Sequence, residues 1–191
     1  MTAETSKVTI HMVTSVDGFI AKKDNSVEWF ETADFYDKGL DEPNEENISK
    51  EIDCFVMGYR TYEHAVELSK NYGWVYGDVP TIVVTHRDLS VEKKNIATYS
   101  GDLMKLVNER LKPIHKNIWL VGGAMLAQQF ICLGIADEIR LSVLPIILSG
   151  GTRLFDHLEN EQFLHLKQVT AYKSGLVEFI YEIKKSKSIE E

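Results

Sequence analysis

The sequence predicts an α/β domain with a mixed central sheet, helices on both of its faces and an antiparallel hairpin at its carboxyl end. Three observations carry this. Short apolar runs suited to buried strands alternate with helix-compatible stretches from residue 8 to residue 133. From residue 138 the alternation stops, and strand candidates follow one another without helices between them. Where the regimes meet, residues 117–129 read NIWLVGGAMLAQQ, an apolar strand that ends at paired glycines and turns directly into a helix. A βαβ series implies parallel strands with helical crossovers, and a closing hairpin adds antiparallel ones.

Each element has its own warrant. Residues 8–13 form a short strand, and 15–26 a loop whose Asp17-Gly18 and Asp24-Asn25-Ser26 are turn signals. Residues 31–51 are acidic and weakly amphipathic, which reads as helix with an irregular middle around 39–43. A buried strand over 52–57, a helix over 61–69 and a second buried strand over 81–85 come next. Ser100 is placed to cap a helix whose Leu103, Leu106, Val107 and Leu111 share one face. Strand 118–121 and helix 124–133 follow, then strands 138–147, 163–172 and 176–183, the last two joined by Lys173-Ser174-Gly175. The alternation of Val177, Phe179, Tyr181 and Ile183 suits a half-buried strand. The whole chain, 1–191, reads as one domain with its core over about 8–183 and a charged tail from Lys184.

Composition narrows the function. With 44 % apolar residues the chain can bury a core, and a formal charge of −8 argues against a general nucleic-acid surface. Any phosphate site is therefore local. Cys54 and Cys132 lie in apolar sequence without a CxxC partner and read as buried thiols. The histidines at 11, 64, 86, 115, 157 and 165 never take an HxxxH or HxH spacing, so no metal site is expected. No apolar run approaches a membrane span or a signal core, and the expected location is cytoplasmic.

Polar or glycine-rich sequence follows several of the predicted strands: Ser15-Val16-Asp17-Gly18, Gly58-Tyr59-Arg60-Thr61, Thr85-His86-Arg87 and Val121-Gly122-Gly123. Ligands of open α/β sheets collect at the carboxyl ends of strands. Paired glycines let a ligand approach the backbone, and the helix start beyond them points N–H groups at it. Arg60 and Thr61 open a helix right after a glycine, and His86 with Arg87 could hold a second phosphate such as the 2′-phosphate of NADP. Taken singly, each arginine also reads as a solvated charge and the glycine pair as a plain turn. Jointly they favour a dinucleotide, although no G-x-G-x-x-G follows the first strand.

The segments VTSVDGFIA, FVMGYRTYE, TIVVTHR, WLVGGAMLAQQF and GIADEIRLSVLPIILSGGTRLF resemble the dihydrofolate-reductase-fold family. Within it they are similar to the stand-alone branch of the riboflavin-biosynthesis reductase domain, the C-terminal half of the bifunctional deaminase/reductase. The resemblance runs from Val8 to about Ile183. It implies a dihydrofolate reductase-like three-layer sandwich that binds NADPH. Carried over by motif, it sets Ile20 and Ala21 beside the nicotinamide, and Arg60 and Thr61 on the phosphates. Thr85, His86 and Arg87 fall at the adenosine 2′-phosphate end. Gly122, Gly123, Ala124, Met125 and Leu126 form the pyrophosphate turn, where the family often has a cis Gly-Gly peptide. Asp17-Gly18 shapes the mobile loop over the active site, with a simple turn as its other reading.

The substrate side departs from the pattern. The proton-assisting carboxylate of dihydrofolate reductases falls in LDEPNEENISKEID, where Asp41, Glu42, Glu45 and Glu46 are all candidates, each also readable as a solvated acid. The lysine usual in riboflavin reductases is Phe19 here, and no D-x-P-x-L-x-x-R segment follows Tyr62-Glu63. Trp29, Phe30, Trp74 and Tyr76 could wall a flat pocket, or be core. The resemblance implies a reductase of a pteridine- or pyrimidine-like heterocycle, akin to 5-amino-6-(5-phosphoribosylamino)uracil reductase. A non-catalytic NADP-binding module and a true dihydrofolate reductase are the alternatives. Leu141, Val143, Pro145, Ile146, Ile147 and Leu148 make an apolar run beyond one strand's need, and together with the 163–183 hairpin they predict a homodimer.

Overall fold

The computed structural model describes residues 5–42, 51–91, 93–156, 158 and 160–185. Its frame is an 8-stranded sheet in the order β5-β4-β3-β6-β1-β7-β10-β9. The strands are β1 (Lys7–Ser15), β3 (Cys54–Gly58), β4 (Thr81–Val84), β5 (Ile96–Tyr99), β6 (Asn117–Leu120), β7 (Glu138–Leu144), β9 (Leu164–Ala171) and β10 (Val177–Ile183). A small separate pair joins β2 (Phe19–Ala21) to β8 (Thr152–Arg153). From β5 to β7 every neighbour is parallel, and β10 then pairs antiparallel with both β7 and β9. The expected mixed sheet and terminal hairpin are therefore present.

Alternation along the strands builds a layer on each face. On one face Val8, Ile10, Cys54, Val56, Ile118 and Leu120 are buried against Leu106, Val107, Leu126 and Phe130. Those partners come from α2 (Leu103–Lys105), which runs on into a π-helical stretch (Leu106–Leu111), and from α3 (Ala124–Cys132). On the other face Phe55, Met57, Val83, Ile96 and Trp119 pack with Tyr62 of α1 (Tyr59–Tyr72). Burying these side chains contributes on the order of 1.5–3 kcal/mol each, which drives the layering.

Several expectations are corrected. No helix forms over 32–42. A 3₁₀ turn (Glu28–Glu31) is followed by irregular chain with a turn at 37–39, whose Asp34, Tyr36 and Leu40 N–H groups bond Ser174, Lys173 and Ala171 carbonyls at the hairpin end. A weakly amphipathic stretch has little face to bury, so these bonds win over helix. Residues 43–50, Glu45 and Glu46 among them, lie outside the described residues, as do His157 and the tail beyond 185. The helix at 103 is capped by Asp102, whose Oδ1 accepts from Lys105 N at 2.8 Å, not by Ser100. Strand β5, absent from the expectation, holds one apolar buried residue, Ile96, which left no alternation to read. Strand β7 ends at Leu144, and Pro145 to Leu148 is a loop with Ile147 67 % exposed.

Candidate active site

The strands β4, β3, β6 and β1 lie side by side and parallel, so their carboxyl ends converge. Each leads directly into a segment singled out by sequence. At β3 and β6 the backbones touch: Gly58 N–H donates to Gly122 O at 3.2 Å, and a Cβ on Gly122 would stand 2.3 Å from Thr61 Cγ2. Gly123 has φ +91°, a conformation that other residues rarely adopt. The Gly122–Gly123 peptide is trans, so the cis bond expected there is absent.

Both helices that start at this contact begin on a glycine. Gly58 caps α1 and Gly123 caps α3, and neither helix has a side-chain cap. Their first-turn N–H groups and dipole ends thus face one corner, an arrangement that suits an anion. Ala124 and Leu126 are buried while Met125 is 73 % exposed, so Met125 projects at the mouth and the other two offer backbone only. Arg60 is exposed in the first turn of α1. The Arg87 guanidinium lies 4.4 Å from the Tyr59 ring centroid, which sets a second cation beside the same helix start.

Thr61 and Thr85 are partly spent. The Thr61 side chain fills the space over Gly122, and Thr85 Oγ1 accepts from Arg87 N at 3.0 Å, shaping the turn that carries His86 and Arg87. Beyond that turn a cleft of about 430 Å³ is lined by Val84, His86, Gly101, Leu103, Gln129 and Cys132. Cys132 is exposed there, contrary to expectation, while Cys54 is buried with its thiol pushed up to about 12 by desolvation. Apolar neighbours in sequence misled: Phe130 and Ile131 face the core, and Cys132 falls on the opposite side of the helix.

The segment holding Ile20 and Ala21 is stapled down. Asp17 Oδ1 accepts from Ser15 Oγ at 2.6 Å and Leu148 N at 3.1 Å, and Oδ2 accepts from Ser149 N at 2.8 Å. These bonds hold the Asp17 carboxyl below its ordinary range, the Ser15 bond most. Leu154 N donates to Gly18 O at 3.0 Å, Arg153 lies 4.7 Å from the Phe19 ring centroid, and Ala21 O is pressed against Gly151. Asp17 is therefore a clamp between the loops after β1 and β7, and those contacts tie the segment it carries to the 148–154 stretch.

Of the aromatic residues expected to wall a flat pocket, Trp29 is buried and meets exposed Phe30 edge-on at 4.7 Å, with the Trp29 indole Nε1 buried and without a protein partner. Trp74 and Tyr76 are half-buried against the core: they stack edge-on with Tyr62, Phe55 and each other, and burial pushes the Tyr76 hydroxyl up to about 12. Asp41 is paired with Lys173 at 2.7 Å and Glu42 accepts from Ser174, both at the exposed hairpin end. Sequence reasoning missed a buried polar group on the sheet itself. Arg140 Nε donates to Glu178 Oε2 at 2.7 Å, and His11 packs edge-on to Trp119 at 4.7 Å. Burial, then the neighbouring Arg140, lowers the His11 imidazole to about 4. The available signal was polar residues at alternate positions of otherwise apolar strands. Among the described residues no cluster of His, Cys, Asp and Glu could hold a metal ion, and no helix is long and apolar enough to cross a membrane.

Comparison with known proteins agrees with this fold. The chain is 31 % identical over 162 residues to the uncharacterized protein YwjB of Bacillus subtilis (strain 168), covering 84 % of this chain and 89 % of that one. It is 29 % identical over 186 residues to YyaP of the same organism, covering 92 % and 94 %. Among solved structures it superposes with TM-score 0.78 on a protein from Shewanella sp. PV-4 assigned to riboflavin biosynthesis, at 22 % identity over 94 % of this chain and 99 % of that one. A pyrimidine reductase-like protein from Corynebacterium diphtheriae gives TM-score 0.62 at 14 % identity, over 95 % and 93 % of the two chains. The Thermotoga maritima diaminohydroxyphosphoribosylaminopyrimidine deaminase/5-amino-6-(5-phosphoribosylamino)uracil reductase gives 0.64 at 12 % identity, over 96 % of this chain and 58 % of that longer one. At such identities the superpositions speak for the fold. The family model of the RibD C-terminal domain matches residues 6–177, and the chain belongs to that family.

Proposed function

We propose that the protein is an NADPH-dependent reductase of a pteridine- or pyrimidine-like heterocycle or its sugar adduct. The observation that carries this is the corner where α1 and α3 start on touching glycines without side-chain caps, in an acidic chain that sets Arg60 and Arg87 beside it. The residues fit the cofactor: Gly123 leaves its half-buried backbone without a side chain over it, while Thr61 covers Gly122, and the His86 cleft has room for an adenosine end. Bound there, NADPH supplies hydride to an electrophilic carbon. The first-turn N–H groups of α1 and α3 hold its phosphates, Arg87 and His86 receive the 2′-phosphate, and Ile20 and Ala21 orient the ring from a segment that Asp17 keeps in place. Trp29 and Phe30 wall the substrate side and exclude water.

Calorimetric titration with NADPH and NADH tests the nucleotide half, and equal affinities would refute it. NADPH oxidation against pterin, aminopyrimidine and quinone panels tests the catalytic half. Methotrexate-sensitive turnover of dihydrofolate would identify a true dihydrofolate reductase. Asp41 and Glu42 are engaged at the surface, which favours, as second reading, an NADP-binding module that does not turn over. Tight NADPH binding with no turnover in any panel would select it. We propose further that the chain works as a homodimer buried around the 141–148 and 163–183 segments, the latter including β9, the outer strand of the sheet, with each active site mostly within one subunit. Leu166 and Val169 are 48 % and 51 % exposed there and Phe163 70 %, an apolar edge of the kind that proteins cover.

A further inference from the structure

We propose that Ser15 and Asp17 are positioning residues that set the nicotinamide ring of the cofactor, holding the segment Phe19–Ala21 through a hydrogen-bond relay anchored in the central sheet; this rests on the NADPH reading above. The segment has little to place it from within. Strand β2 has three residues and β8 two, and the register shifts inside the pair. Two strands of that size are marginal by themselves. Strand β2 pairs with no strand of the 8-stranded sheet, and Ile20 is only partly buried against the main core. Its position is therefore set at its ends.

At the leading end a relay does this. Ser15 is the last residue of β1, is buried, and stands in register with Leu144 of β7. Its hydroxyl donates to Asp17 Oδ1 at 2.6 Å and accepts from Phe19 N at 3.0 Å. A hydroxyl has a single proton, and a carboxylate is the strongest acceptor within its reach, so its lone pairs are left for the Phe19 N–H. The carboxylate is held from the other side by Leu148 N on the same oxygen and Ser149 N on the second. It thus has two anchors, β1 through Ser15 and the loop after β7. Between Asp17 and Phe19, Gly18 takes φ +80°, which lets the chain reverse, and Leu154 N closes on Gly18 O. Leu154 O accepts in turn from Gln128 Nε2 of α3 at 3.1 Å. The relay and the helix that starts at the glycine corner therefore meet on one residue.

The chemistry of the relay is positional. Both oxygens of Asp17 are engaged, and these bonds hold its carboxyl below the ordinary carboxylate range, the Ser15 bond first. At neutral pH it is ionised and has no proton to give. The relay also stands apart from the groups assigned to the rest of the nucleotide, which are the first turns of α1 and α3 and the His86 cleft. Loosening it should move the ring and spare the remainder of the cofactor.

The test uses the full-length protein and two ligands that differ by the ring: NADPH, and 2′-phospho-ADP-ribose, the same nucleotide without nicotinamide. In calorimetry the wild type should bind NADPH about tenfold or more tightly than the ringless ligand. Ser15→Ala removes the relay's hydroxyl, and Asp17→Asn puts an amide donor where one of two accepting oxygens stood. In each variant the gap between the ligands should shrink to about threefold or less, with affinity for 2′-phospho-ADP-ribose unchanged. Hydrogen exchange on the wild type gives a reading that needs no variant: NADPH should slow the amides of residues 19–21 more than 2′-phospho-ADP-ribose does. Thermal melts identify the folded variants, and if neither folds the exchange comparison decides. An undiminished gap in a folded variant, equal weakening of both ligands, equal affinities in the wild type or equal protection by the two ligands would each overturn the proposal. Failure of the wild type to bind either ligand would instead overturn the NADPH reading.

Discussion

Adjacent glycines at the corner should fail for different physical reasons, and a mutant cycle can separate them. At Gly122 the backbone is permissive but space is absent: an added Cβ would meet Thr61 Cγ2 at 2.3 Å, Oγ1 at 2.4 Å and Cβ at 2.8 Å. Gly122→Ala therefore costs what overpacking costs, about 1–3 kcal/mol. At Gly123 the space is ordinary, with Leu126 Cβ at 3.6 Å as nearest atom, but φ is +91°. Gly123→Ala costs backbone strain, of order 1–3 kcal/mol, and Gly123→Val more. Thr61→Ala removes the nearest contacts of an alanine at 122 and touches nothing needed by one at 123. Urea unfolding of the singles and doubles should show Gly122→Ala coupled to Thr61→Ala by roughly 0.5–2 kcal/mol, and Gly123→Ala additive with it within about 0.5 kcal/mol. Both glycine variants should lose NADPH affinity in calorimetry, and Gly123→Val should abolish it in a protein shown by its melt to be folded. Equal coupling at both positions, or normal NADPH binding by folded Gly123→Val, would refute the account of the corner.

Arg87→Ala should cost on the order of 1–3 kcal/mol of NADPH affinity and much less with NADH, measured by titration, because the guanidinium is assigned to the 2′-phosphate. Stability should depend on pH through His11, whose imidazole is lowered to about 4 by burial and by Arg140. Above pH ~6.5 neither state binds the proton; below it the unfolded chain does and the folded one does not, so stability falls from there to about pH 4, by up to about 3 kcal/mol. His11→Asn should flatten that part of a melt-against-pH profile, and an unchanged profile would remove His11 as its cause. Sedimentation at micromolar concentration should give a dimer, and Leu166→Lys a monomer; a wild-type monomer near the chain mass of 21.8 kDa rejects the β9 interface.

What could be read from the chain depended on how local its physics was. The Gly-Gly corner was legible because a strand, a glycine pair and a helix are contiguous, and the observed β6 and α3 flank it. The order of carboxyl ends followed from alternation, since parallel crossovers leave each of those ends on one side. Segment 31–42 was not legible, because its conformation is set by the turn near Ser174, more than a hundred residues away, which takes its backbone N–H groups. The role of Asp17 was hidden for the same reason. A D-G pair signals a turn, but the donors that fix its carboxylate belong to Leu148 and Ser149.

The polar face of β1, β7 and β10 shows a further limit. His11 and Arg140 each interrupt an apolar strand, and in isolation each reads as an outward-facing residue of a half-buried strand. Only the register that sets His11 beside Arg140, and Ser142 beside Glu178, turns scattered polar positions into one partly buried cluster. Register is fixed by the apolar residues on the opposite face, Ile10 and Met12 of β1 and Ile139 of β7 among them, because a slip of one residue would exchange the faces. The core therefore does more than stabilise the fold. By fixing the register of β1, β7 and β10, it determines which polar side chains must meet on the opposite face, and so the apolar half of the sequence decides the neighbours of the polar half.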